Sequence, residues 1–163
     1  MDFPIKTGLG GQREMSDDEM LDIAGLVSAF SKYAVITAYQ YVEHAGRKVV
    51  TVEDLKYALQ NEVFQFSKRE TILDDASEFR QMLVESMEDE EEEVEFEPED
   101  LVGEEFSEST CECEFCKIVN NAHNIWDDWE PENPFEAMLK SRIDEITETS
   151  FEVLKEIEAE NGY

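Results

Sequence analysis

Three cysteines and a histidine lie close together in the second half of the chain. Cys111, Cys113, Cys116 and His123 follow the pattern Cys-x-Cys-x2-Cys-x6-His. Thiolate sulfur and imidazole nitrogen are the ligands of structural zinc sites, which are tetrahedral and often include a Cys-x2-Cys pair. The pattern therefore predicts one structural zinc ion bound by these four residues.

The same residues have other interpretations. The main alternative is three reduced thiols without a metal, with His123 as an ordinary polar residue, and redox sensing is a second alternative. A catalytic Cys-His pair is disfavoured because no neighbouring base or glycine-rich turn accompanies the cluster. We therefore expect no enzyme activity. Three crowded cysteines also make a poor disulfide framework, which favours an intracellular, reducing location.

The charge of the chain is strongly negative and unevenly spread. The sequence has 42 acidic and 13 basic residues, a net charge of −29. Residues 1–70 have a net charge of −3, and residues 71–163 have −26. This balance disfavours broad binding to nucleic acid or anionic membranes and favours basic partners, such as histones. We also expect no transmembrane span and no signal peptide.

The apolar pattern predicts an all-helical chain in which capping pairs mark the helix starts. A capping residue is followed three positions later by an acidic residue that can complete a capping box. The pairs are Ser16 with Glu19, Thr51 with Asp54, and Asn133 with Glu136. They open a long helix that continues to about residue 48, a second helix to about 66, and a final helix. An extra helix is predicted over 71–87. The long helix is apolar on several faces, which indicates that a second polypeptide covers part of it.

Residues 44–59 read HAGRKVVTVEDLKYAL and resemble the end of the central helix, the second loop and the third helix of histones. The resemblance extends back through the long helix. It implies a histone fold with a long central helix, a loop and a shorter helix. The family's first short helix is either lacking or replaced, because the arm 1–15 contains three glycines.

The resemblance also implies roles for individual residues. Arg47 pairs with Asp54 to lock the loop onto the following helix, and Arg47 and Lys48 occupy phosphate-contacting positions. Two such contacts imply only weak, salt-sensitive DNA binding. His44 is interpreted as the family's histidine at the helix end. Two histone folds pair head to tail, and the implied interface residues are Val27, Phe30, Ala34, Ala38, Leu55 and Leu59.

The predicted organisation has four parts. An irregular arm (1–15) precedes a histone-fold module with its extra helix (16–87), an acidic linker (88–109), and a Cys/His knuckle with an amphipathic C-terminal helix (110–163). The acidic run of 88–99 is either a solvated spacer or a mimic of nucleic-acid charge that binds basic proteins. Trp126 and Trp129 are expected to pack the knuckle against the last helix, and the alternative is that they anchor a partner chain.

These observations predict a dimerisation protein. Its partner is another histone-fold chain, identical or different, within a chromatin, transcription-factor or viral nucleoprotein assembly. An acidic histone chaperone or DNA mimic is one alternative, and a self-associating structural protein of a virus particle is another. The expected location is the nucleus, or the virus particle or virus factory if a virus encodes the chain.

Overall fold

A computed structural model describes residues 14–87 and 105–145. These residues form five helices and no strand, so the predicted all-helical class is confirmed for them. The helices are α1 (Asp17–His44), α2 (Val52–Phe66), α3 (Ile72–Ser86), α4 (Glu114–Ile125) and α5, which covers 134–145. Most of the arm (1–13), most of the acidic linker (88–104) and the chain beyond 145 lie outside the described residues.

Helix α1 begins at the predicted capping box and ends earlier than predicted. The Ser16 hydroxyl accepts the amide of Glu19, whose carboxylate accepts the amide of Ser16, so two free N–H groups at the helix start are satisfied. The helix ends at His44 rather than near Lys48. Gly46 has a φ of +73°, a left-handed conformation that glycine adopts without steric cost and that stops the helix.

Helix α2 is anchored to the preceding loop at its first turn. The Thr51 hydroxyl accepts the amide of Asp54, and the Asp54 carboxylate accepts the amide and hydroxyl of Thr51. The same carboxylate pairs with the guanidinium of Arg47, and one of their hydrogen bonds is 2.7 Å long. Asp54 is fully buried, so these partners replace the water that its charge would otherwise require.

Helix α3 packs antiparallel against the first half of α1. Tyr33 donates to Asp75 near one end, and Arg80 forms ion pairs with Asp18 and Asp22 near the other. Between these points the two backbones come very close. A Cβ added at Gly25 would lie only 2.4 Å from the carbonyl oxygen of Ala76. The missing side chain of Gly25 thus permits this packing.

Helix α5 completes an aromatic core against α1 and α2. Asn133 caps its first turn by accepting the amide of Glu136 at 2.9 Å, as predicted. The buried cluster contains Phe30, Val63, Phe66, Trp126, Leu139 and Ile143. Lys140 donates to the carbonyls of Trp126 and Trp129 at 2.6 and 2.7 Å, so the residues that follow α4 are held against α5.

By length and composition alone, α1 is long and apolar enough to cross a membrane. This finding corrects the expectation that no segment of the chain has the length and apolar character of a transmembrane span. The core helix of a soluble protein passes the same test, so the pattern is weak evidence for a span. Here α1 packs against both α2 and α3. It also buries eight of its residues, including Ala29 and Tyr41, and 28% of its most apolar 18-residue window is buried.

Candidate metal centre

Four potential metal ligands meet where the end of α1 approaches the start of α4. The ligand atoms of His44, Cys111, Cys113 and Cys116 all lie within 4.8 Å of one another. His44 Nδ1 is 3.2 Å from Cys113 Sγ and 3.8 Å from Cys111 Sγ. With zinc–sulfur bonds of about 2.3 Å and zinc–nitrogen bonds of about 2.0–2.1 Å, tetrahedral ligands stand about 3.5–3.8 Å apart. These four residues could therefore hold a metal ion.

The start of α4 places two of the sulfurs on the same side of the helix. Cys113 is the N-cap residue, and its sulfur accepts the backbone N–H of Cys116 at 3.4 Å. That hydrogen bond is the main reason why the pKa of Cys113 falls to about 6, and contacts with Cys111 and His44 lower it further. Since the thiolate is the form that binds metals, Cys113 is ready to act as a ligand near neutral pH.

Cys116 has the opposite environment. Its side chain is fully buried, and this burial raises the pKa of its thiol to about 11. The Ser109 hydroxyl lies 3.3 Å from its sulfur. A bound cation reverses this effect, because its charge favours the thiolate of a ligating cysteine. Metal binding at this centre should therefore release a proton from Cys116.

The histidine of the group is His44, not the predicted His123. His44 is the last residue of α1, and its ring packs edge-on against Phe115 with a centroid distance of 5.4 Å. His123 lies on α4 and hydrogen-bonds through Nδ1 to Gln60 at 2.8 Å. Its ring stacks on Tyr57 at 3.9 Å, and burial lowers its pKa. The predicted ligand set is corrected at this one position.

The segment before α4 is fixed to α1 by hydrogen bonds around Tyr41. The Tyr41 hydroxyl accepts the backbone N–H of Ser109 at 2.9 Å and donates to the side chain of Asn120. Asn120 in turn donates to the Ser109 carbonyl at 3.1 Å. Burial raises the pKa of Tyr41 to about 12, so its hydroxyl stays protonated and able to donate. This network holds the segment beside the cysteines.

Residues 105–109 belong to this centre and not to a solvated linker. The guanidinium of Arg47 donates to the Ser107 carbonyl at 3.3 Å and lies 5.4 Å from the centre of the Phe106 ring. The Tyr57 hydroxyl donates to Glu108 at 3.1 Å. The predicted acidic linker therefore ends before residue 105, because α1, α2 and their loop bind the residues that follow.

Arg47 pairs with Asp54 as predicted, and its side chain is 8% exposed. Its predicted contact with a phosphate stays a prediction. Lys48, by contrast, is exposed at the same loop. The loop therefore presents one of the two predicted cations to solvent.

The residues predicted to pair with a second chain have different surroundings. Phe30, Ala34 and Ala38 are buried within this chain, Leu55 and Leu59 are half-buried, and Val27 is 39% exposed. Phe30 and Leu59 pack in the same cluster as Trp126, Leu139 and Ile143. Part of the predicted interface is therefore covered by the chain's own second half.

Other apolar side chains of α1 remain exposed. Val35 and Tyr39 are each 58% exposed, and Ile36 is 43% exposed. We call these three residues the open face of α1. An α-helix brings residues three, four and seven positions apart onto adjacent surface, so Val35, Tyr39 and Ile36 lie near one another. Monomeric soluble proteins rarely expose several large apolar side chains next to one another on one helix.

Compared with known protein families, curated proteins and solved structures, the chain matches none.

Proposed function

We propose that this chain is a protein-pairing module of histone-fold type that acts by binding another helical chain rather than by catalysis. Its setting would be a chromatin, transcription-factor or viral nucleoprotein assembly inside the cell. The observation that carries the proposal is the Arg47–Asp54 ion pair, buried between the 28-residue α1 and the 15-residue α2. Long helix, locked loop and shorter helix match the order that the resemblance implies.

The open face of α1 supports a partner of apolar, helical character. Between Asp22 and Glu43, the helix has a single charged side chain, Lys32. Burial of large apolar side chains contributes about 1.5–3 kcal/mol each, so Val35, Ile36 and Tyr39 could drive association. We infer that α1 belongs to a protein–protein interface and not to a membrane, since α2 and α3 already cover its other faces.

DNA wrapping by this chain alone is not part of the proposal. The net charge of −29 opposes approach to a polyanion, and Arg47 is already bound to Asp54. Within a complex, a basic partner could supply the contacts to DNA.

We further propose that the metal at His44, Cys111, Cys113 and Cys116 is a structural zinc ion. Three thiolates and one imidazole fill a tetrahedral shell, whereas catalytic zinc keeps one position open for water. When bound, zinc would supply a rigid cross-link. The protein's own groups orient the ligands, through the Cys116 amide on Cys113 and the Ser109 hydroxyl on Cys116.

A second candidate function is that of an acidic chaperone for basic proteins such as histones. The net charge of −29 favours it, because a polyanion attracts basic chains without any shaped interface. Self-association into a structural assembly, as in a virus particle, is a third candidate that also uses the open face.

Light scattering of the chain with and without bound zinc, alone and mixed with core histones, separates these functions. The substitution Val35→Asp changes a 58% exposed residue of the open face, and Gln40→Asp is the control at another exposed position of α1. Pairing predicts a defined complex that survives about 1 M salt, where charge attraction is screened within about 3 Å. Val35→Asp should abolish this complex, and Gln40→Asp should retain it.

Each candidate predicts a different failure of this result. A complex that dissolves at high salt and ignores Val35→Asp would indicate the acidic chaperone. A homo-oligomer indifferent to histones but broken by Val35→Asp would indicate self-association. A monomer that binds nothing at either salt concentration, both with zinc and without it, would overturn the pairing proposal.

A further inference from the structure

The second described part of the chain, residues 105–145, lies on a surface that the resemblance assigns to a partner chain. Trp126, Leu139 and Ile143 come from this part, and they bury Phe30 of α1 and contact Leu59 of α2. We call residues 105–145 the cap. The cap buries part of the predicted pairing surface in the way a second polypeptide would.

The first residues of the cap are attached to α1, α2 and their loop by hydrogen bonds and by an apolar cluster, in which Phe106 packs on Tyr57 with a centroid distance of 5.1 Å. Ser107, Glu108 and Ser109 are bound by Arg47, Tyr57 and Tyr41 respectively, through one hydrogen bond each. Such hydrogen bonds each contribute only about 0.5–1.5 kcal/mol of net stability, because water competes for the same groups. Without a metal ion, this end of the cap is held by these hydrogen bonds and by the apolar cluster.

The candidate metal centre lies at this same end and joins the two parts of the molecule. Three ligands belong to the cap, and the fourth, His44, is the last residue of α1. No other residue of 14–87 belongs to the group of ligands. A cation bound here therefore connects α1 directly to the start of α4, and it binds the closed arrangement more tightly than an open one.

We propose that zinc at this centre is a clasp that keeps the cap closed over the pairing surface, so that metal occupancy controls access of a partner chain. That this surface pairs with another chain depends on the proposed function, whereas the evidence for the clasp is the position of His44 at the end of α1. A ligand that binds only the closed state stabilises it by mass action, so metal removal shifts the molecule toward opening of the cap. Opening would expose Phe30 and Leu59, and a partner's apolar side chains could replace those of the cap.

The decisive substitution is His44→Gln, which removes the one ligand outside the cap. The matched control is His123→Gln, because His123 was the alternative histidine and contacts Gln60 instead of the cysteines. Cys111→Ser is a second test variant, since Cys111 lies in the loop before α4 and is only partly buried. Full-length chains loaded with zinc are compared with the same chains after chelation.

Two readouts are taken from each sample. Mass spectrometry under native conditions should find one zinc ion per wild-type or His123→Gln chain. The His44→Gln and Cys111→Ser chains should bind zinc at least about tenfold more weakly. Amide hydrogen exchange should then accelerate at least about tenfold over 114–125 when zinc is absent, while α3 stays as protected as before. Addition of core histones should form more complex in the zinc-free samples.

The outcomes separate the clasp from the functions on which it builds. Zinc binding without any change in exchange over 114–125 would overturn the clasp and leave a passive metal site. Absence of zinc from the wild-type chain would overturn both the metal centre and the clasp. Equal loss of zinc from the His44→Gln and His123→Gln variants would overturn both as well. Faster exchange without increased complex formation would retain the clasp as a metal-dependent closure and overturn its control of pairing.

Discussion

Arg47 and Asp54 combine three local tasks in one buried contact. The fully buried Asp54 completes the capping box of α2 and accepts hydrogen bonds from the guanidinium of Arg47. Arg47 extends the contact to the Ser107 carbonyl. One ion pair therefore links the loop, the start of α2 and the segment that leads to the cysteines.

Removal of Arg47 should destabilise the fold strongly. In Arg47→Met, the Asp54 carboxylate stays buried without its cationic partner, and breaking a buried pair in this way costs about 3–5 kcal/mol. Arg142→Met is the control, because Arg142 and Glu145 form an exposed pair (62% and 56% exposed), which is worth at most about 1 kcal/mol. Urea unfolding of the zinc-loaded chains measures both. Equal stabilities for the two variants would show that the Arg47–Asp54 pair contributes no more than a surface contact.

The helices are held in two ways, by caps at their starts and by close packing along their lengths. Capping pairs act within one turn and decide where a helix begins. Close packing between α1 and α3 depends instead on Gly25, whose missing side chain makes room for the carbonyl of Ala76. Arg69 adds a further tie between elements, because it pairs with the fully buried Glu62 and lies 3.8 Å from the centre of the Tyr33 ring.

Gly25→Ala tests whether the close approach of α1 and α3 outweighs helix propensity. Alanine favours an isolated helix over glycine by about 1 kcal/mol. Here its Cβ would meet a backbone oxygen at 2.4 Å, so α3 must shift, and overpacking of this kind costs about 1–3 kcal/mol. We expect a lower thermal midpoint for Gly25→Ala and little change for Ser31→Ala, an exposed position of the same helix. A raised midpoint for Gly25→Ala would mean that the two helices are not tightly packed.

At the scale of the whole molecule, charge and packing oppose each other. The chain packs an apolar core, yet acidic residues outnumber basic ones by 42 to 13. Like charges repel in the folded state more than in an expanded chain, so the net charge of −29 lowers stability. A net charge far from zero also favours solubility in general.

The zinc-loaded chain should therefore be more stable at high ionic strength. The screening length falls from about 30 Å at 0.01 M to about 3 Å at 1 M, which removes long-range repulsion. Thermal unfolding in sodium chloride and in potassium chloride should show the midpoint rising with either salt, which attributes the effect to screening and not to one ion. A falling midpoint would indicate that ion pairs such as Arg80 with Asp18 and Asp22 outweigh the repulsion.

Local features could be predicted from the sequence because they depend on residues only a few positions apart. The capping residues Ser16, Thr51 and Asn133 begin α1, α2 and α5 as expected. The three cysteines of the metal centre could be identified for the same reason, since a Cys-x2-Cys pair at a helix start places both sulfurs together. The all-helical class follows from the apolar period of each segment.

The fourth ligand and the covered surface were decided only by the tertiary structure. From the sequence alone, either His44 or His123 could complete the group of ligands. The structure selects His44, because the end of α1 meets the start of α4 although His44 and Cys111 are 67 residues apart in the chain. Phe30 was likewise predicted to contact a second chain, because its place in the apolar pattern of α1 indicates burial and does not indicate which segment covers it. The sequence by itself determined which side chains need covering and which can bind a metal. Only the packing of 105–145 onto α1 and α2 decided what covers Phe30 and which histidine completes the centre, because such contacts depend on how distant segments pack.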